Sequence, residues 1–189
     1  ANPSRAAEAA ALVHTVFDTS VRKSEHGIKL ACGKGCAYCC HTYVSVLAPE
    51  VFRIAAVIRS GAARRVSRET FAARAAETAN KGHDARHGKQ LPCALLVENV
   101  CSVYQHRPMM CRKAASTAVD DCIATFKGSD KGWTMPRIND TASRASLYAL
   151  SIALLVNKLP WQMLELSAAL QVVLAHDNDE AACLAGVNI

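Results

Sequence analysis

Aromatic residues make up only 5% of the 189 residues, and this shortage narrows the function classes open to the chain. Proteins that hold single-stranded nucleic acid stack bases on rings set among basic side chains. The basic stretch around Arg64 and Arg65 has no such rings between its charges. The formal charge of +6 is therefore read as a solvated helix face, and nucleic acid is not an expected partner. Long apolar runs are missing too. The longest, LYALSIALLV at 147–156, stops at Asn157 and Lys158, well short of the roughly 18 residues a spanning helix needs, so no membrane is expected. In ANPSRAAEAAALVHTVFDTS, Glu8, His14 and Asp18 recur at helical intervals and leave no uninterrupted apolar core. No signal peptide is read there, and a reducing, cytoplasmic setting is the expectation. A phosphate-cradling glycine loop and a self-contained nucleophile–base pair are also lacking.

Cysteine is abundant by contrast. There are nine, although a chain of this length can bury a core without covalent staples. Cys32, Cys36, Cys39, Cys40, Cys93, Cys101, Cys111 and Cys122 lie in the middle of the chain, while Cys183 stands apart near the end and reads as a small buried hydrophobe. Where thiols stay reduced, such density points to metal ligation or catalysis ahead of disulfides. Thiolates are soft anionic donors, which select zinc or iron, including iron–sulfur clusters, over magnesium or calcium. The glycines of CGKGC let the backbone curl around an ion, and Cys36-x2-Cys39 has the spacing at which two sulfurs grip one tetrahedral centre.

The other four thiols are too widely spaced for a local turn, so they must converge through the fold. Eight thiolates around two zinc ions carry a net charge of about −4, or about −2 as one cubane cluster beside four free thiols. Cations are therefore expected nearby, with Lys34, Arg107, Arg112 and Lys113 placed to supply them. Cys39 and Cys40 are adjacent and cannot both clasp one face of one ion, since neighbours point apart in a strand and diverge by about 100° in a helix. Cys32, Cys36 and Cys39 are expected to share one centre with a thiol of the second segment, and Cys40 to turn toward the remaining thiols.

Five helices are predicted, at 5–25, 49–60, 67–87, 141–158 and 160–176, with almost no strand. Pro49 suits a first turn and Gly61 a stop, Ser67 is a good N-cap, and the helix after it has only Phe71 and alanines for an apolar face. The last two helices are expected to form an antiparallel pair supplying much of the core. Residues 89–139 lose helical period. The expected architecture is one all-α domain over 1–189, with a cysteine-cluster region at about 30–122 whose irregular loops clasp metal.

Cys32-x3-Cys36-x2-Cys39-Cys40, a helix carrying Glu50, Cys93, CSVYQHRP leading into MMCR, and Ser116 through Cys122 together resemble the YkgJ-type cysteine-cluster family of zinc- or iron-chelating domains. The resemblance covers residues 30–122 and implies metal chelation by the cysteines, with no defined biological role. Flagellin lysine-N-methylases share the signature but are longer, which keeps an S-adenosylmethionine-using protein methylase as the alternative. The Cys-x3-Cys-x2-Cys spacing also occurs in radical S-adenosylmethionine enzymes, where it follows the first strand of a partial barrel; here a helix precedes it and no series of strands follows. Two histidines in HDARH at 83–87 stand one helical turn apart, between glycines, and read as exposed polar residues. His41 and His106 neighbour the cysteines but are not counted as ligands, since eight thiols already fill two tetrahedral sites.

Overall fold

A computed structural model describes residues 3–24, 27–33, 35–63, 66–78 and 90–175. Helix α1, Pro3–Ser24, buries Ala10, His14, Phe17 and Val21, whose spacing of four, three and four makes one stripe. Helix α2, Ala48–Arg59, has Pro49 in its first turn and buries Val51, Ile54 and Ala55. Gly61, at φ +76°, terminates it in the left-handed region that costs glycine nothing. Helix α3, Arg68–Thr78, is capped where expected, with Thr70 N–H donating to Ser67 Oγ at 3.2 Å. Only Phe71 and Ala75 of its face are fully buried. The expected continuation to 87 and the HDARH histidines lie outside the described residues.

The middle of the chain is more ordered than its lost period suggests. Strand β1, Ser45–Val46, precedes α2. Strands β2, Leu96–Val97, and β3, Val100–Cys101, pair as a hairpin with Leu96 opposite Cys101. Its two-residue turn, Glu98-Asn99, has φ +51° and +60°, the primed-turn geometry that matches strand twist. Two short helices follow, α4 at Met109–Lys113 and α5 at Val119–Phe126. Each carries one cysteine, Cys111 and Cys122.

Helix α6, Arg137–Val156, starts four residues earlier than expected, directly after Pro136. Helix α7, Leu166–Ala175, starts six residues later than expected. Residues Leu164–Glu165 instead form strand β4, antiparallel to β1, with Ser45 opposite Glu165. The Glu165 carboxylate then accepts the Ala168 N–H at 2.8 Å and so caps α7. The expected pairing of the last two helices is not what forms. α6 packs mainly along α1, and α7 packs on α2 and α3. The main core lies between α2, α3, α7 and the β1–β4 ladder, around Val51, Ile54, Phe71, Leu166 and Leu170. The architecture is mostly helical with only small sheets. Among the described residues no helix is long and apolar enough to cross a membrane.

Candidate metal centre

Residues 31–33 and 35–41 reach the core's edge as loop and a single 3-10 turn, Tyr38–His41. Three contacts fasten this loop to the second cysteine segment. The Ala31 N–H donates to the Ser116 carbonyl at 2.8 Å, and the Cys93 N–H to the Cys40 carbonyl at 2.7 Å. The Ser116 N–H points at Cys32 Sγ, 3.3 Å away. Two buried apolar residues, Ala94 and Leu95, anchor the strand side of the arrangement, and Leu95 holds the hairpin by accepting from the Ser102 N–H and hydroxyl, each at 2.9 Å.

Glu50 places α4 and is fully buried. One of its oxygens accepts the Leu47 N–H at 2.9 Å at the start of α2. The other lies 2.9 Å from His14 Nε2 of α1 and accepts the Met109 N–H at 2.6 Å. A single carboxylate thus joins three helices, and the third carries Cys111 two residues further on. The sequence marked Glu50 only as part of a resemblance; its partner His14 went unnoticed as a functional neighbour. A histidine at a buried position of an amphipathic stripe, needing a buried partner, was the signal available.

All eight expected thiols are unpaired by disulfides; Cys32 is exposed, Cys122 buried and the other six half-buried. They form one electrostatic network. Cys122 is pushed up chiefly by burial, with Cys32, Cys36 and Cys39 adding to the shift. Cys32 is likewise raised by burial, with Cys36 and Cys39 adding, while the Ser116 N–H and Arg107 pull it down. On the other side Cys111 is raised well above the usual thiol value by burial and then by Cys93, Cys39 and Cys101. Burial also raises Cys101, with a small contribution from Cys39.

Cys39 and Cys40 touch. The Cys40 thiol donates to Cys39 Sγ, which lowers Cys39 to about 7 and raises Cys40. Beyond that bond their neighbours differ: Cys39 is felt by Cys32, Cys122, Cys101 and Cys111, whereas Cys40 feels Cys93 and Cys111. Cys39 therefore acts on thiols of both cysteine segments.

Of the expected cations, Arg107 acts on Cys32, Cys39, Cys101 and Cys111; it lies over the Tyr104 ring, 3.9 Å from its centroid. Arg112 points elsewhere, to Asp18 at 2.5 Å and to the Gln105 and Arg107 carbonyls. Lys113 sits 3.7 Å from Asp140. Lys34 lies outside the described residues.

Six of the eight thiols, Cys36, Cys39, Cys40, Cys93, Cys101 and Cys111, line a cavity of about 770 Å³, walled by Leu95, Val103, Tyr104, Met110 and Trp133 among others, while Cys122 faces a separate small pocket beside Tyr38, His41 and Phe126. The larger cavity's only charged lining side chains among the described residues are Arg107 and Lys113. With no carboxylate in that lining, the donor set is soft throughout, which fits zinc or iron and not calcium or magnesium.

Residues 31–134 match the family model CxxCxxCC, described as a zinc- or iron-chelating domain. The chain belongs to this family. No curated protein and no solved structure gives a match.

The family segment spans both cysteine-bearing regions and takes in the thiols from Cys32 to Cys122. Among the described residues, no three His, Cys, Asp or Glu side chains already form a closed ligand group; six thiols line the cavity without forming a finished cage. The two nearby histidines are otherwise engaged. His41 Nδ1 lies 3.0 Å from the Ala37 carbonyl, and the ring meets Phe126 edge-on at 5.0 Å. His106 stands beside Arg53 of α2, and burial followed by that guanidinium lowers its pKa. Cys183 lies outside the described residues.

Proposed function

We propose that the protein binds zinc or iron through two sets of thiolates, Cys32, Cys36, Cys39 and Cys122 in one, and Cys40, Cys93, Cys101 and Cys111 in the other. One observation carries this reading: thiols from two distant segments shift one another's ionisation, and six of them, Cys36, Cys39, Cys40, Cys93, Cys101 and Cys111, line one cavity. Folding that concentrates so much potential negative charge is costly unless a cation neutralises it. When bound, the metal supplies that neutralisation and joins residues 31–41 to 93–122. Arg107 offsets part of the remaining charge. Closing the sets would require the loop with its 3-10 turn, α4 and α5 to move together, in keeping with metal binding that is coupled to folding.

The test is anaerobic purification followed by elemental analysis and a visible spectrum. Colourless protein with about two zinc ions per chain supports two tetrathiolate sites. Brown protein with iron and acid-labile sulfide supports a cluster. Fully folded, metal-free protein sinks both.

A second reading, an enzyme that uses S-adenosylmethionine beside the metal, draws on the cavity's volume, which is of ligand size. The charges on its wall weigh against it: Arg107 and Lys113 are cations, a poor match for a sulfonium. Calorimetric titration of the reduced, metal-loaded protein decides between them, and micromolar binding of that cofactor would favour the enzyme.

A further inference from the structure

Arg137, Thr141 and Arg144 are exposed in the first half of helix α6, but over residues 145–156 its inward side is more polar than its outward one. Asn139, Ser143, Ser146, Leu150 and Leu154 are buried against the rest of the molecule. Residues 145–156, ASLYALSIALLV, hold no charge, and their two serines are Ser146, which is buried, and Ser151, which is half-buried. The outer face is left to Ala145, Tyr148, Ala149, Ile152, Leu155 and Val156, all exposed. A helix that is apolar all round is the pattern of a helix buried all round. Tyr148, Ile152, Leu155 and Val156 are nonetheless 68, 58, 59 and 75% exposed, and α1, packed alongside, adds Leu12 at 66% and Val16 at 54%. At on the order of 100 Å² each, these six leave about 600 Å² of apolar surface in water, at the top of the range for a monomer's largest patch and approaching the ~800 Å² per partner of a stable interface.

We infer that this face is the contact surface for a second copy of the chain, with α6 packed antiparallel on α6 about a two-fold axis. Between Arg144 and Lys158 the α6 face is uncharged, so it calls for an occupant equally uncharged, and an isologous contact supplies one. Its side chains also alternate in size in the way such packing needs. An antiparallel two-fold between residues 150 and 151 sets Ala145 against Val156 and Ala149 against Ile152, small against large at each step. The opposed helix dipoles are favourable in the same arrangement.

Light scattering on the full chain tests this, with metal content and helical circular dichroism followed in parallel. The wild type is expected to have the mass of a dimer. Ile152→Lys is expected to weaken dimerisation by more than about tenfold while leaving metal content and helicity as in the wild type. Adding Ala149→Glu to Ile152→Lys places opposite charges across the axis and is expected to restore the dimer. Should Ile152→Lys fail to fold, Val156→Lys at the more exposed position carries the same expectation. A monomeric wild type overturns the inference, as it would if residues 176–189 or a foreign partner cover the face. A dimer indifferent to both lysine substitutions also overturns it, and a double variant that stays monomeric overturns the antiparallel register.

Discussion

Two adjacent residues, Cys39 and Cys40, have different neighbours within one 3-10 turn, even though their sulfurs share a hydrogen bond. Under the two-set arrangement, Cys40→Ala is expected to lose metal from the set of Cys93, Cys101 and Cys111, and Cys39→Ala to disturb both sets because Cys39 acts on thiols of both. Metal counting and thermal melting of each variant decide it; full retention of metal and stability in Cys40→Ala would make Cys40 a bystander. Glu50 is a second residue with a role larger than its place in the sequence suggests. Glu50→Ala would leave the Leu47 and Met109 N–H groups and His14 without their acceptor, at a cost of about 3 kcal/mol or more in denaturant unfolding. Glu50→Gln keeps one acceptor oxygen and is expected to cost less. The difference between the two variants separates the carboxylate's hydrogen bonds from its mere volume.

At the scale of elements, amphipathic period was a dependable guide where one helix face was buried. α1 and α2 stand where their stripes place them, α3 begins where Ser67 predicts, and Gly61 ends α2 as its chemistry requires. The failures share a cause. Pro160 and the downstream leucines predict a helix over residues 160–165, yet β4 gains its ladder from β1, a strand more than a hundred residues away. Short α4 and α5 have too few turns to show a period, and their formation depends on tertiary anchors such as Glu50 at Met109. The swap of partners by the C-terminal helices is testable. Leu170, fully buried among α2, α3 and α7, should cost about 2–5 kcal/mol on change to Ala, whereas exposed Gln171→Ala should change stability by less than about 0.5 kcal/mol.

For the whole molecule, metal loading and proton release should be linked. Cys32, Cys101, Cys111 and Cys122 all have raised pKa values, each chiefly through burial, so in the metal-free protein near neutral pH they carry their protons. A metal must displace those protons to bind thiolate. Affinity is therefore expected to fall as pH falls and to rise as pH climbs toward these raised values. Calorimetric titration with zinc in buffers of differing ionisation heat measures the protons released; a release of none would contradict the thiolate assignment. Metal removal should also loosen the join between the two cysteine segments. Amide exchange at Ala31 and Cys93, whose N–H groups cross that join, is expected to accelerate on chelation, while exchange in α2 changes little.

The sequence by itself determined the donor chemistry, because softness and charge belong to the thiol and need no geometry. It also determined the helical class and the buried faces of the first three helices, since period and capping are local properties. Its resemblance to a cysteine-cluster family was legible in the spacing of Cys32 through Cys40. Only the tertiary structure decided which thiols are neighbours, that Arg107 and not Arg112 faces them, and that Glu50 and His14 fasten α1, α2 and α4 together. Those outcomes depend on contacts between residues 36 to 94 positions apart, and such contacts are set by how the helices pack, which no local pattern encodes.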